Sequence, residues 1–370
     1  MQSMLTKAVV GLLLLCAPIS VSAQSLQPDI ETLSKARVVS VVAEGPQAVP
    51  GTSLTSEVQT LTAEVLDGPQ KGEAVTFVND FTQLDEGDVF YLRHLESPSD
   101  GTEFYSVADP YRLPILIGLA VVFLVLLFLF GGIQGIRGLL ALIGSFVLIF
   151  YLLLPGIVAG YPPVLVAVSV SSLIIILGSY ITHGFNRTTT SAVLGMIITV
   201  ILSGLAAWYV VGAASLSGFS GEESGYLHFQ YGGTLDLVGI LMSGIIIGLL
   251  GVLYDIAIGQ AVAVEELMSA GKHLGKWEVY GKAIRIGREH IGALVNTLAI
   301  AYVGAALPLL LLLEQATASI GYIVNGEVIA TEIVRILIGA SGIILAVPVT
   351  TLIAVYLVSA REGSAVRHTH

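Results

Sequence analysis

Two periodicities divide this chain. Between residues 26 and 112, apolar and polar positions alternate in short runs, RVVSVVAE, TLTAEVLD, EAVTFVND, DVFYLRHLE and EFYSVAD, separated by turns rich in Gly, Pro and Asp. Alternation with a period of two marks half-buried strands, so five strands are predicted, with the clearest hairpin at Asp67-Gly68-Pro69-Gln70-Lys71-Gly72. Five short strands suggest a small all-β barrel or sandwich, and their spacing suits a five-stranded barrel of the OB type over residues 24–112. From residue 113 the alternation stops and seven apolar stretches follow: 113–130, 138–154, 163–181, 191–211, 237–264, 292–313 and 333–358. A helix needs about 20 such residues to cross a hydrocarbon core. The pattern predicts a polytopic α-helical membrane protein, with about seven transmembrane helices in residues 113–360 and a small N-terminal OB-like domain.

The charges supply a direction. Arg137, Arg187, Lys272, Lys276, Lys282, Arg285, Arg288, Arg361 and Arg367 fall on one side of the predicted spans, and Glu222, Glu223, Glu314 and Glu327 on the other. Basic loops stay in the cytoplasm, which puts the β domain outside a bacterial inner membrane and the tail, 361–370, inside. The first 23 residues agree: Lys7, the apolar run from Ala8 to Leu15, and Val21-Ser22-Ala23 have the order of a signal peptide cut before Gln24. A lipoprotein site at Cys16 fits less well, because Leu13 to Leu15 are large where small residues belong. Cys16 is the only cysteine, so the mature chain has none, which excludes disulfides, thiol catalysis and thiolate metal sites together. Composition agrees with a membrane protein, at 55% hydrophobic residues, 12% charged and a mean hydropathy of +0.87. Much of the acidity behind the net charge of −11 lies in the exported domain, where it aids solubility rather than naming a partner.

Chemistry inside the membrane starts at Asp255. A carboxylate at the centre of a membrane helix costs about 2.5–3.5 kcal/mol on the lenient insertion scale, so it is kept for a pathway or a partner. Counted from the cytoplasmic ends of the two helices, Asn296 and Thr297 come within about two turns of its depth. With Tyr302 they define a proton or ion pathway; the alternative is a polar clasp between helices. Glu332 and Arg335, spaced i, i+3, can pair at the outer mouth of the last helix. They read equally as an outer gate or as an interfacial anchor with a snorkelling arginine. Arg335 as a counter-charge toward Asp255 is a third reading. Between the fifth and sixth spans, Glu265-Glu266 leads into KHLGKWEVYGKAIRIGREH. Trp277, Tyr280 and Ile284 share one face there, with Lys276, Lys282 and Arg288 nearby, the pattern of an amphipathic helix in the membrane surface or a basic loop held by anionic lipid. Gly271, Gly275 and Gly281 are expected to break this segment into more than one short helix. Gly244 and Gly248 have the small-xxx-small spacing of close helix packing. No hydrolase, metalloprotease or phosphate-loop motif occurs, so no enzyme activity and no cofactor are expected. His183, His273 and His290 are too scattered for a metal site, and no basic aromatic surface points to nucleic acid.

The order Tyr254-Asp255-Ile256-Ala257, Glu265-Glu266-Leu267, Gly287-Arg288, Ile291-Gly292, Asn296-Thr297-Leu298, Ala301-Tyr302 and Leu307-Pro308 resembles the bacterial YibE/F membrane proteins. Glu332, Arg335, Gly339, Gly342 and Pro348-Val349-Thr350 resemble the same family's last helix. The resemblance covers Arg112 to the C-terminus and implies a permease-like polytopic protein without naming a substrate. More distantly, Gly251 through Glu266 is similar to the Asp-bearing helix of RND-type permeases, including the SecD/SecF and lipid-exporter branches. That likeness implies an RND-like six-helix unit at about 138–358 preceded by one extra helix. The large external domain of those permeases is reduced here to the loop 156–161, which argues against a drug-efflux cycle.

The leading expectation is a proton- or ion-coupled permease-like protein with Asp255 as the protonatable group. Its rival is a membrane scaffold or envelope-assembly factor whose β domain binds an external partner. The RND analogy implies a homo-oligomer, most simply a dimer, or pairing with a related membrane protein in the bilayer.

Overall fold

The computed structural model describes residues 30–48, 55–98, 101–271, 273–314 and 317–358. The signal-peptide segment with Cys16, Lys272 and the tail with Arg361 and Arg367 lie outside them. The chain divides into two compact units between Leu124 and Val125.

In the first unit five strands form one antiparallel sheet: β1 (Ile30–Ala48), β2 (Thr55–Val65), β3 (Ala74–Asn79), β4 (Val89–Glu96) and β5 (Glu103–Pro110). Their order is β3-β2-β1-β4-β5. β1 serves both halves, pairing with β4 through Ile30 to Arg37 and with β2 from Ala36 onward, with register shifts at Val38/Ser40 and Val41/Ala43. Such irregularities bend a strand and sharpen its twist, which lets one long strand bridge two halves. The alternation in the sequence becomes an inside and an outside: Ala36, Val38, Leu61, Ala63, Val65, Phe77, Phe90, Leu92 and Val107 fill the core. Gln59 joins them as a tied polar group, its Oε1 accepting from the Leu84 N–H (2.9 Å) and its Nε2 donating to the Leu84 carbonyl (3.1 Å). The β2–β3 turn reaches across to β5, where Gln70 Nε2 donates to the Tyr105 hydroxyl (2.9 Å) and that hydroxyl donates to Glu103 (2.9 Å). Burial first, and then the Glu103 carboxylate, push the Tyr105 phenol above its usual value, so it stays a donor. Phe90 is fully buried. Phe90→Ala is therefore expected to cost about 3–5 kcal/mol. Limited proteolysis of the full chain reads this as faster cleavage within 30–110 and an unchanged rate in the helices.

The helices begin just before that boundary, at Leu113, and make up the second unit. α1 (Leu113–Leu148) runs on through a π-helical turn (Ile149–Leu153) into α2 (Leu154–Val158). Then come α3 (Pro163–His183), α4 (Arg187–Ala213), α5 (Glu222–Gln230), α6 (Leu237–Ala270), α7 (Lys276–Ala305), α8 (Leu307–Glu314), α9 (Ile320–Asn325) and α10 (Glu327–Leu357). Among the described residues five helices are long and apolar enough to cross a membrane: Leu113–Val158, Pro163–His183, Arg187–Ala213, Leu237–Ala270 and Glu327–Leu357. Counted as one broken span, the bent pair α7 and α8 makes a sixth. α4, α6 and α10 form the centre, flanked by α3 and α7. Their cores meet through small side chains, as membrane helices do when packing replaces the hydrophobic drive. A Cβ on Gly195 of α4 would lie 2.9 Å from the Thr350 Cα of α10, and one on Gly342 of α10 would lie 2.7 Å from Ser203 Oγ of α4.

Three features refine the sequence reading. The first two apolar stretches are two helices that meet at a kink at Gly132, whose φ of 52° suits glycine alone. The break is sharp, since a Cβ on Gly135 would lie 2.9 Å from the Leu127 carbonyl oxygen, whereas eight residues of straight helix span about 12 Å. Second, among the described residues no separate surface helix precedes the sixth span. Gly271 and Gly275 do end and start helices, but Gly281 is carried inside α7, which is continuous from Lys276 to Ala305. One internal glycine costs only about 1 kcal/mol, and the Glu278–Lys282 ion pair (3.0 Å) spans it on the same helix. Third, the 292–313 stretch bends by 66° after Ala305, where Pro308 brings no N–H to continue the helix.

Candidate functional site

α6 positions the site. Asp236 caps its start by accepting from the Gly239 N–H (2.8 Å). One face, with Ile246, Leu249, Leu253, Ala257, Ala261 and Val264, is buried in the bundle. The opposite face is exposed and nearly bare: Gly244, Gly248, Gly251, Asp255 and Gly259 follow one another at helical spacing. Asp255 makes no hydrogen bond and no ion pair among the described residues, and it is exposed.

Two contacts set the register of α6 against antiparallel α7. The Tyr302 hydroxyl rests directly on Gly248, and Gly287 rests directly on Gln260. Interpolated between them, Asp255 is level with residues 292–295, less than a turn or so from Asn296. Asn296 and Thr297 are exposed, and the Thr297 hydroxyl donates to its own helix at the Ala293 carbonyl (2.9 Å). No hydrogen bond joins them to Asp255 among the described residues. The polar clasp of the hairpin is a different residue. Gln260 is buried at the junction of α6, α7 and α10, with its nitrogen facing Thr351 Oγ1 (3.0 Å) and the Ala283 carbonyl (3.3 Å) and its oxygen accepting from the Gly287 N–H (3.1 Å). The sequence shows Gln260 only as one polar interruption in an apolar run; the small Gly287 twenty-seven residues on is what gives it room.

Near the start of α10, Arg335 pairs with Glu332 at 3.1 Å, and its guanidinium lies over the Tyr302 ring, 5.7 Å from the centroid. Both charged side chains are about one-quarter exposed, at 27% and 24%. The pair borders a cavity of about 360 Å³ that Ser220, Glu223, Ser224 and Gly244 also line. Gly244 begins the bare face of α6, so this face runs from a polar cavity, past Tyr302 at Gly248, to Asp255 about 16 Å along the helix.

A model of the YibE/F-like protein family matches residues 119–360. The chain belongs to the YibE/F-like family. The match covers the helical region and leaves the strands outside it. No curated protein and no solved structure matched the chain significantly.

The remaining residues singled out in this YibE/F-like chain fall at the basic end of the bundle. Glu265 accepts from Thr188 Oγ1 (2.8 Å), tying α6 to the start of α4, while Glu266 and Arg288 are exposed. Trp277 is exposed and packs edge-on against Tyr280 (5.7 Å), and Lys276 lies 4.6 Å over the Tyr356 ring. Among the described residues, no group of three or more His, Cys, Asp or Glu side chains is placed to hold a metal ion.

Proposed function

We propose that this YibE/F-like protein is a proton- or ion-coupled permease of a bacterial inner membrane, with Asp255 as the protonatable group. Asn296, Thr297 and Tyr302 flank its path, and the Glu332–Arg335 pair is the outer gate. The observation that carries the reading is an exposed, unpartnered carboxylate on a glycine face of a membrane helix that starts at a polar cavity. A lipid-facing Asp with no role is a cost without return. The two-fold dimer, or pairing with a related membrane protein, follows from the same exposure, because a second subunit over α6 and α7 removes Asp255 from hydrocarbon.

The topology in this proposal has seven spans, with the β domain outside and the C-terminus cytoplasmic. It is supported by the 46-residue run Leu113–Val158, which at about 69 Å is twice the length of a ~30 Å hydrocarbon core, and by its break at Gly132 beside Arg137. The strand order β3-β2-β1-β4-β5, with β3 beside β5, supports the OB-like assignment of the exported domain. The RND-like unit remains an analogy resting on the order of the spans.

Single cysteines along α6 in a Cys16→Ser background test the path. Charged, membrane-impermeant thiol reagents are expected to modify Gly244→Cys and Gly259→Cys, where an added side chain meets nothing within 4 Å, and to spare Leu253→Cys and Ile115→Cys. Equal protection of all four positions contradicts a polar path and favours a scaffold in which the helices only anchor.

A further inference from the structure

α7 carries two guanidiniums that the bundle does not use. Arg285 and Arg288 are exposed and make no hydrogen bond or ion pair among the described residues. The lysines beside them are engaged: Lys282 pairs with Glu278 (3.0 Å), and Lys276 lies over the Tyr356 ring (4.6 Å). Glu289, exposed next to Arg288, forms no ion pair with either arginine. Spaced i, i+3, the two arginines are neighbours on one face of the helix. Gly281 and Gly292 continue that face by a turn in each direction, and a Cβ on either glycine would meet nothing within 4 Å. Val279, Ala283 and Gly287, on the buried face of the same helix, pack into the bundle instead.

The register between helices sets the depth of these charges. A crossing of the hydrocarbon core that starts at the Asp236 cap takes about 20 residues of α6 and is complete near Ala257. Gly287 rests on Gln260, just beyond that point, so Arg285 and Arg288 lie past the edge of the core, where the phosphates of a bilayer begin. An unpaired guanidinium there matches phosphate well, because its planar fork offers two parallel N–H donors. We infer that Arg285 and Arg288 together bind the phosphate of an anionic phospholipid in the leaflet at the basic end of the bundle, with its acyl chains passing the bare backbone at Gly292. A zwitterionic headgroup is the poorer ligand, since it brings its own cation to the phosphate. Neither arginine belongs to the path assigned to Asp255, so the site goes beyond the proposed transport.

Native mass spectrometry of the purified full chain in mild detergent tests this, with phosphatidylglycerol and phosphatidylcholine of identical chains as probes. The first phosphatidylglycerol is expected to bind more tightly than phosphatidylcholine. A basic side chain near a membrane surface contributes about fivefold, so Arg285→Gln and Arg288→Gln should each weaken phosphatidylglycerol by that factor, and together by about thirtyfold, with phosphatidylcholine unchanged. Both side chains are exposed and unpartnered, so the fold should survive their loss. Arg137→Gln, which removes an exposed cation elsewhere in the chain, should bind like wild type. Equal binding of the two lipids by wild type overturns the proposal and leaves this face to an acidic protein segment. Undiminished phosphatidylglycerol binding in the double variant, or an equal loss in Arg137→Gln, overturns the assignment to this pair. Displacement of phosphatidylglycerol by millimolar inorganic phosphate marks a site for free anions and overturns the lipid as its ligand.

Discussion

Asp255→Asn is expected to abolish complementation of a strain that lacks this protein, while leaving its amount and its size in mild detergent unchanged. Asn keeps the shape and much of the hydrogen-bonding capacity of Asp but holds no exchangeable charge. The side chain is exposed and contacts no polar group among the described residues, so its neutral replacement removes nothing that the fold uses. Loss of function with intact protein then points to the carboxylate itself. Asp255→Glu keeps the charge one methylene further out and is expected to retain part of the activity. Wild-type complementation by Asp255→Asn would leave the residue inert and make the scaffold reading, with the β domain as its working part, the better one.

Gly195→Val is expected to destabilise the helical bundle. Its Cβ would lie 2.9 Å from the Cα of Thr350, a backbone atom that no rotamer change can move aside. α4 and α10 have to part, and overpacking of this kind costs about 1–3 kcal/mol and occasionally more. The same contact runs through Ser203 and Gly342, so separation spreads along the seam. Thermal unfolding in detergent should show a markedly lower midpoint or no folded protein. Gly304→Ala is the matched control: it sits on α7 with nothing within 4 Å and should be neutral or slightly stabilising. Equal stability of Gly195→Val and wild type would contradict the close approach of α4 and α10.

The strands and apolar helices were legible because each rests on a local period. Leu61, Ala63 and Val65 alternate inward in the sequence as they do in the sheet. What was not legible depends on contacts across the chain. The continuity of α7 through Gly281 is decided by a local glycine cost too small to stop a helix whose later turns pack on α6 and α10. The clasp at Gln260 needs Gly287 and Thr351, one on each of two other helices, and no spacing rule links them. Asp255 and Tyr302 stood out for their chemistry alone; that both lie along one glycine face of α6 follows from the register between helices, which the sequence does not print.

Proton movement through the purified protein tests the role of Asp255 most directly. Proteoliposomes loaded with a pH-sensitive dye are given an inward proton gradient, with wild type and Asp255→Asn at matched protein density. Wild type is expected to acidify the lumen faster than empty liposomes, and Asp255→Asn to match the empty ones. Equal proton entry with wild type and Asp255→Asn would contradict a proton path through this carboxylate.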